Sequence, residues 1–312
     1  GAMKLSFFSY ENQKKRKKKR IYYIFRVYEK EVLNMARHNF VFLYGKVTKN
    51  PKIITDDEGN FLRGQCSLTT ARGVRSSEDD TFGDYKYDCP VILTKNPDLI
   101  FEMSKWREND MVEVKGTVST RDIKRTTTCP HCGHQNTKIG VLLYITPIYC
   151  SAIETGCSNE RGMELIREKC EISNQCIVAG NLCNDPQFYR HENGLCQTQY
   201  QIALNRKFRV KEDPPETKTD FPWVKSQGEN AESDAKFLMK GSSVLVEGFI
   251  QTREIIQRTT CEECGEMYDW NDRAMEIVPY STEYLLNCRT IEEIEEMEKN
   301  AQDEVFSKLF GT

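Results

Sequence analysis

The chain has 312 residues, of which 38% are hydrophobic and 29% are charged, and its formal net charge is −3. This balance is typical of a globular protein with two domains of ordinary size, and the sequence lacks the run of about 18 apolar residues that predicts a membrane-spanning helix. The charge is concentrated at the two ends. Residues 14–20 are seven consecutive lysines and arginines, and seven acidic side chains lie within residues 291–304.

Residues 1–34 are predicted to form a basic extension outside the folded domains, and Met3 and Met35 both fit as a start of translation. A secretory signal is not visible before the basic block, so we expect a cytoplasmic, reducing location. In that compartment thirteen cysteines do not predict a disulfide framework. An isolated cysteine such as Cys176 is expected to be a small core residue.

A tandem repeat organises the rest of the chain. The sequence Val114-Lys-Gly-Thr-Val-Ser-Thr-Arg recurs 132 residues later as Val246-Glu-Gly-Phe-Ile-Gln-Thr-Arg, and the same offset relates Pro147 to Pro279. Asp88-Cys-Pro-Val also precedes Asp220-Phe-Pro-Trp by 132 residues. Because one offset persists over so many positions, the chain is predicted to be a duplication.

In chain order, each repeat is predicted to be mainly β-structure. Short apolar runs at 40–44 and 176–179 end at glycine, and Gly59 and Gly194 lie in hairpin turn signals. A later strand alternates apolar and polar residues around a glycine typical of a bulge or a sharp barrel corner. A helix precedes that strand, at 97–107 in the first repeat and at 231–240 in the second. This order predicts an OB-fold barrel.

The predicted organisation has five parts. They are a basic extension (1–34), a first OB-fold barrel with a cysteine knuckle (35–155), a linker (156–171) with a helix at 161–169, a second barrel with a knuckle (172–286), and an acidic C-terminal segment (287–312) with a helix at 290–309. The expected fold class is therefore mainly β, with two tandem OB-fold barrels, zinc-knuckle hairpins, a linker helix and a C-terminal helix.

Three stretches of the second repeat, residues 178–186, 200–206 and 240–253, resemble the bacterial single-stranded-DNA-binding protein family. The first matches its opening strand and the acidic-proline turn, the second a strand ending in Asn-Arg, and the third a strand with a central glycine. Residues 37–154 carry a weaker version. The resemblance implies single-stranded DNA wrapped over the barrel faces, with bases stacked on aromatic rings and phosphates on lysines and arginines.

By match to the family, Phe221 occupies a stacking position, and Cys89 takes the same position in the first repeat. Stacking on aromatic rings and cations along the backbone are what a single strand needs. A single ring could instead lie in a barrel core, and a single arginine on a solvated face, but recurrence in both repeats favours binding. The predicted nucleic-acid contacts are Arg72, Arg75, Tyr85, Tyr87, Arg121, Lys124, Arg125, Arg206, Lys207, Phe208, Arg209, Phe221, Trp223, Arg253 and Arg258.

Two cysteine knuckles, Cys129-Pro-His-Cys132-Gly and Cys261-Glu-Glu-Cys264-Gly, each provide half of a zinc site. The Cys-x-x-Cys-Gly turn aims two thiolates at one point, and a closed structural site needs four ligands. We expect one structural zinc shared by all four cysteines. Separate or unmetallated knuckles are the alternative, and a redox role is weaker because the βαβ context of a redox pair is missing.

The sequence thus predicts a protein that binds single-stranded DNA without strong sequence preference and protects or organises it during replication, repair or transfer. The family's barrels usually work in fours, so a two-barrel chain is expected to be a homodimer, with replication or repair proteins as further partners and neither membrane nor small-molecule substrate. The alternatives are an RNA-binding or primosome-type OB-fold protein and a degenerate-barrel partner-binding protein. An enzyme is disfavoured because neither a carboxylate cluster nor an open three-ligand metal site repeats.

Overall fold

The computed structural model describes residues 38–75, 82–205 and 219–310. The predicted basic extension and four of the predicted contacts, Arg206, Lys207, Phe208 and Arg209, lie outside the described residues, as does the side chain of Arg75. Among the described helices, none has the length and hydropathy needed to cross a membrane.

The described residues of the first repeat form seven strands and one helix. They are β1 (His38–Val47), β2 (Lys52–Thr55), β3 (Phe61–Arg75), β4 (Phe82–Asp88), β5 (Val91–Thr94), α1 (Pro97–Ser104), β6 (Met111–Thr128) and β7 (Gln135–Glu154). Two linker helices follow, α2 (Asn159–Glu168) and α3 (Cys170–Ser173). The predicted linker helix is therefore confirmed, with its start two residues earlier than expected.

The second repeat follows the same order. It contains β8 (Asn174–Leu182), β9 (Gln187–Arg190), β10 (Cys196–Asn205), β11 (Thr219–Asp220), β12 (Trp223–Gln227), α4 (Gly228–Phe237), β13 (Ser243–Thr260) and β14 (Met267–Leu286). The C-terminal helix α5 (Ile291–Phe310) starts at a capping box, in which Thr290 and Glu293 exchange side-chain to backbone hydrogen bonds. The mainly β fold class with a linker helix and a C-terminal helix is confirmed.

Equivalent pairings close each barrel. In the first repeat β1 pairs with both β3 and β6, and β5 lies parallel to β7. In the second repeat β8 pairs with both β10 and β13, and β12 lies parallel to β14. The ladder shifts register at Gly116 and at Gly248. A Cβ at Gly248 would lie 2.1 Å from the carbonyl oxygen of Val278, so the corner requires glycine.

The helices differ from the prediction at their ends. Helix α1 ends at Ser104, not 107, because Trp106 turns into the core with 0% exposure and the backbone N–H of Arg107 donates to Asp110. Helix α4 begins at Gly228, where φ is +61°, and ends three residues before the predicted 240, because Leu238 is extended and fully buried. Each helix nevertheless precedes the long strand of its repeat, β6 or β13, as the sequence pattern predicts.

The two repeats join through a continuous sheet and reciprocal hydrogen bonds. Strands β1 and β8 pair antiparallel, with Phe40 opposite Ile177. The buried carboxylate of Asp220 accepts from the backbone N–H of Thr120, whose hydroxyl accepts from the N–H of Phe221. In the matching place, Asp88 accepts from the N–H of Thr252, whose hydroxyl accepts from the N–H of Cys89. This reciprocity places the repeats about a pseudo-two-fold axis.

Candidate metal centre and nucleic-acid interface

Two long hairpins extend beyond the barrels. We call residues 120–143, from β6 and β7, arm 1, and residues 252–275, from β13 and β14, arm 2. The ladder is continuous along each arm, from Thr120 opposite Leu143 to Thr128 opposite Gln135, and correspondingly in arm 2. Both strands of each arm are continuous with strands of its barrel. The barrel therefore fixes the direction of the arm, and the tips of the two arms meet.

The tip of each arm is a cysteine knuckle with the same hydrogen bonds. The N–H of Gly133 donates to the carbonyl of Cys129, and the N–H of Gly265 donates to that of Cys261. Both glycines have positive φ, +77° and +74°, a conformation that a residue with a side chain rarely adopts. Each turn thereby directs its two sulfurs to the same side.

The structure brings the four predicted ligands together. Their sulfur atoms all lie within 4.8 Å of one another, with Sγ–Sγ distances of 3.7 Å from Cys129 to Cys264 and 3.6 Å from Cys132 to Cys261. Four sulfurs about 2.3 Å from one Zn²⁺ in a tetrahedron would lie roughly 3.8 Å apart. The two knuckles thus fit one shared zinc ion in spacing and in donor chemistry.

Asn136 of arm 1 and Tyr268 of arm 2 form hydrogen bonds next to this cluster. Asn136 is buried, and its amide donates to the sulfur of Cys261 and to the hydroxyl of Tyr268, while its carbonyl accepts from the N–H of Glu262. The pKa of Cys261 is lowered, chiefly because the backbone N–H of Cys264 donates to its sulfur, with a smaller contribution from Asn136. Despite backbone N–H groups that lower it, desolvation raises the pKa of Cys132 and of Cys264. The donors around Cys261 therefore favour the thiolate, which is the metal-binding form, at that one sulfur.

The arms also contact each other below the tips. Lys138 donates to the carbonyl of Arg258, the hydroxyl of Thr127 bonds that of Tyr268 at 2.7 Å, and Arg125 forms an ion pair with Asp272. All three contacts join arm 1 to arm 2. The arms therefore form a single joined structure between the two barrels.

Four of the arginines predicted to bind phosphate are engaged in ion pairs. The pairs are Arg72 with Asp88, Arg125 with Asp272, Arg253 with Glu276, and Arg258 with Asp269. A phosphate would have to share these guanidinium groups with a carboxylate, which sequence alone does not reveal. Of the other predicted cations on arm 1, Lys124 is exposed, and Arg121 is half-buried with its guanidinium 5.7 Å from the ring centre of Tyr144.

The predicted aromatic contacts fall into two groups. In the second repeat Phe221 and Trp223 are 43% and 38% exposed, so neither ring belongs to the barrel core. In the first repeat Tyr85 is partly buried, and the hydroxyl of Tyr87 accepts from Arg167 of the linker helix at 2.6 Å. Phe221 is therefore the most exposed of these four rings, and Tyr87, at 37%, is as exposed as Trp223.

Two clefts flank the joined arms, and the sequence analysis did not identify them. Cleft 1, of about 680 Å³, lies between the two arms next to the first barrel, and Cys89, Val91, Arg125, Thr252, Tyr268, Trp270 and Arg273 are among its lining residues. Cleft 2, of about 390 Å³, lies between the two arms next to the second barrel, with Lys138, Val141, Trp223, Lys225 and Trp270 among its lining residues. Burial lowers the pKa of Lys225. Trp270, isolated in a polar strand, was the signal in the sequence for this surface.

A part of the chain matches known proteins by sequence. The model of the single-strand binding protein family matches residues 173–263. The match covers the second barrel from its first strand to the tip of arm 2 and stops before β14. Single-stranded DNA-binding protein 2 of Chlorobaculum tepidum is 36% identical over 81 residues, or 26% of this chain and 55% of that protein. Single-stranded DNA-binding protein A of Bacillus subtilis is 34% identical over 80 residues, 26% of this chain and 45% of that protein.

The fold likeness extends further than the sequence match. The wild-type single-stranded DNA binding protein of Thermus aquaticus aligns with 81% of this chain and 95% of its own, at a TM-score of 0.51 and 16% identity. A deletion mutant of the same protein aligns with 83% of this chain and 99% of its own, at a TM-score of 0.51 and 17% identity. At this identity the likeness shows the fold alone. By sequence, the chain spans about half the length of the curated relatives it matches.

Proposed function

We propose that this protein binds single-stranded DNA without strong sequence preference, without catalysing a reaction on it, and that it protects or organises the strand in replication, repair or transfer. The observation that carries the proposal is the exposed aromatic pair, Phe221 and Trp223, within the residues that match the single-strand binding protein family. Exposed rings beside a cationic groove are what a single strand requires, since every base has a face that stacks.

The proposed DNA contacts in the second repeat are Phe221, Trp223, Arg253 and Arg258. The exposed ion pair of Arg258 with Asp269 can be shared with phosphate at small cost, because surface ion pairs contribute little to stability, whereas Arg253 pairs with the buried carboxylate of Glu276. In the first repeat the proposed contacts are Arg72, Tyr85, Tyr87, Arg121, Lys124 and Arg125. The remaining proposed contacts, Arg75, Arg206, Lys207, Phe208 and Arg209, have side chains outside the described residues.

We further propose that Cys129, Cys132, Cys261 and Cys264 hold one structural Zn²⁺. The spacing of the four sulfurs and the Asn136 hydrogen bond to Cys261 support it. A zinc ion there would tie the arm tips together, and its binding free energy would add to the free energy of folding. The protein residues set the geometry: the glycine turns direct the sulfurs, and the barrels fix the arms.

We also propose that the protein works as a homodimer, which would bring four barrels together, and that replication or repair proteins are its further partners. Sedimentation at micromolar concentration tests the assembly. A species of twice the chain mass supports the homodimer, and a monomer across the whole concentration range contradicts it.

The DNA-binding proposal is tested by titrating the protein with oligo(dT) of about 30 to 60 nucleotides, with a duplex of equal length, and with poly(U). We expect tight binding of oligo(dT), much weaker binding of duplex, and a steep loss of affinity as salt rises, because phosphate contacts release counterions. Equal affinity for duplex and single strand would refute the proposal. Preference for poly(U) over oligo(dT) would favour an RNA ligand.

A further inference from the structure

The pseudo-two-fold symmetry of the molecule is broken at one functional position. The backbone N–H of Cys89 donates to Thr252, as that of Phe221 donates to Thr120, so the two residues hold equivalent places. One carries an aromatic ring and the other only a thiol. The ring was expected to stack on a base, and the first repeat has no ring at that point.

The clefts differ in the same place. Cys89 and Thr252 both line cleft 1, whereas the corresponding pair, Phe221 and Thr120, lies outside the lining of cleft 2. Cleft 1 is also the larger, about 680 Å³ against about 390 Å³. Loss of the ring therefore coincides with a cleft that extends to the barrel surface, and its size lies within the range of about 300–1,000 Å³ that small ligands occupy.

The walls of cleft 1 combine flat rings with hydrogen-bonding groups. Tyr268 and Trp270 line one side, and the indole N–H of Trp270 donates to Thr259 at 2.9 Å, which fixes the ring. The hydroxyls of Thr126 and Thr128 and the amide of Asn271 supply polar groups that can meet the edge of a base. A fixed ring loses little freedom when a ligand stacks on it.

The charges around cleft 1 suit a nucleotide rather than a cationic ligand. Of the two carboxylates in its lining, Asp269 is paired with Arg258 and Asp272 with Arg125. Arg273 also lines the cleft and is exposed. With both carboxylates neutralised by arginines, Arg273 leaves the cleft positively charged, as a phosphate flanking a bound base requires.

We propose that cleft 1 is a nucleobase pocket: a single base of the bound strand turns out of the stack and inserts between the two arms, next to Cys89. This pocket rests on the proposed binding of single-stranded DNA. It adds to that proposal by assigning the two repeats different modes of contact with the bases. The second repeat stacks a base on the open ring of Phe221, and the first encloses a base in the space that its missing ring leaves.

The test is to restore the missing ring. Cys89→Phe should shorten the cleft and weaken binding of oligo(dT) by about fivefold or more, the least that one base contact contributes. Cys157→Ala, at a partly exposed cysteine that lies outside both clefts, should bind within about twofold of the wild type. The phenylalanine is expected to fold, because the second repeat holds one in the equivalent backbone environment. If Cys89→Phe binds oligo(dT) as tightly as the wild type or more tightly, the proposed base pocket is wrong. The added ring would then offer a base a stacking surface without displacing a base from the cleft.

A second measurement needs no variant. Cysteine alkylation mapped by mass spectrometry should show Cys89 protected by saturating oligo(dT), while Cys157 and Cys288, which are also partly exposed but lie outside both clefts, react equally with and without DNA. Equal alkylation of Cys89 in both states overturns the pocket. Failure of the wild type to bind oligo(dT) at all would instead refute the proposed function, so the two failures are distinguishable.

Discussion

The cores of the two repeats share a frame but differ in chemistry. In the first barrel Cys66 lies opposite Ile92 on the neighbouring strand, and in the second Tyr200 lies opposite Val224. The helix that covers each barrel buries two side chains, Ile100 and Met103 in α1 but Ala231 and Asp234 in α4. Where the first repeat has an apolar helix residue, the second has a buried carboxylate.

The carboxylate of Asp234 is stable there because the surrounding residues changed with it. It accepts hydrogen bonds from the hydroxyls of Tyr200 at 3.2 Å and Tyr284 at 2.8 Å. A buried polar group without partners is costly, so the aspartate and its tyrosines must occur together. The comparison shows that the same strand pairing forms both barrels. The barrel interior can contain either an apolar cluster, as in the first repeat, or a hydrogen-bonded one, as in the second.

The largest effect on stability is expected at the four-cysteine cluster, to which both repeats contribute. Cys129→Ser in the first repeat and Cys261→Ser in the second should each remove all bound zinc, because each breaks the same four-sulfur site, and structural zinc sites contribute on the order of 10 kcal/mol. Metal analysis and thermal unfolding measure this, with Cys183→Ser, outside the cluster, as the control. Two zinc ions per chain, or retention of metal in one of the two variants, would show that the knuckles are independent.

The second prediction separates the two cores. Asp234→Ala should lower the free energy of unfolding by about 3–5 kcal/mol, because it leaves two tyrosine hydroxyls without their acceptor and opens a cavity. Adding Tyr200→Phe should recover part of that loss. Met103→Ala in the first repeat should cost about 2–5 kcal/mol through its cavity alone. Urea unfolding measures each variant, and strictly additive effects of the Asp234 and Tyr200 changes would contradict a coupled cluster.

The third prediction concerns the ligand surface. Phe221→Ala should weaken binding of oligo(dT) by about 1–3 kcal/mol, the contribution of one stacked base, without lowering stability, because the ring is 43% exposed. Fluorescence titration and thermal unfolding provide the two measurements. A lower melting temperature with unchanged affinity would show that the ring packs on the protein, not on a base.

Much of the architecture could be predicted from the sequence because a duplication leaves a regular signal. The constant offset of 132 between the knuckles implied equivalent loops, and their meeting at a pseudo-two-fold axis follows from barrel packing. The strand corners at Gly116 and Gly248 were visible for the same reason, since the glycines are required by a close backbone contact.

The remainder depended on contacts between residues far apart in the sequence. The carboxylate partners of Arg72 and Arg125 lie on other strands, so a sequence pattern that predicts a phosphate ligand fits an ion pair equally well. Asp234 falls in a polar helix sequence, and only Tyr200 and Tyr284, 34 and 50 residues away, make its burial stable. Trp270 lines both clefts because other elements of the fold lie next to it, and the sequence of its own strand does not indicate those neighbours.

The smallest expected effect is a pH dependence that only the second repeat can produce. Burial raises the pKa of Asp234 above its ordinary 3.8, despite hydrogen bonds from Ser226 and the tyrosines that lower it. The folded protein therefore holds this proton at pH values where the unfolded chain has lost it. Stability from this group is complete below about pH 3.8 and declines as pH rises through the higher pKa of the folded state.

The variant Asp234→Asn isolates this effect, because asparagine does not titrate while the metal-binding cysteines respond to pH equally in both proteins. The titratable side chains facing Asp234 are Tyr200 and Tyr284, whose pKa values are raised by burial, so both hydroxyls stay protonated throughout the range. Urea unfolding between about pH 4 and pH 8 should show the wild type losing stability relative to Asp234→Asn as pH rises. A constant difference between the two would mean that Asp234 keeps its ordinary pKa, and a difference that grows in favour of the wild type would mean that the tyrosine hydrogen bonds outweigh its burial.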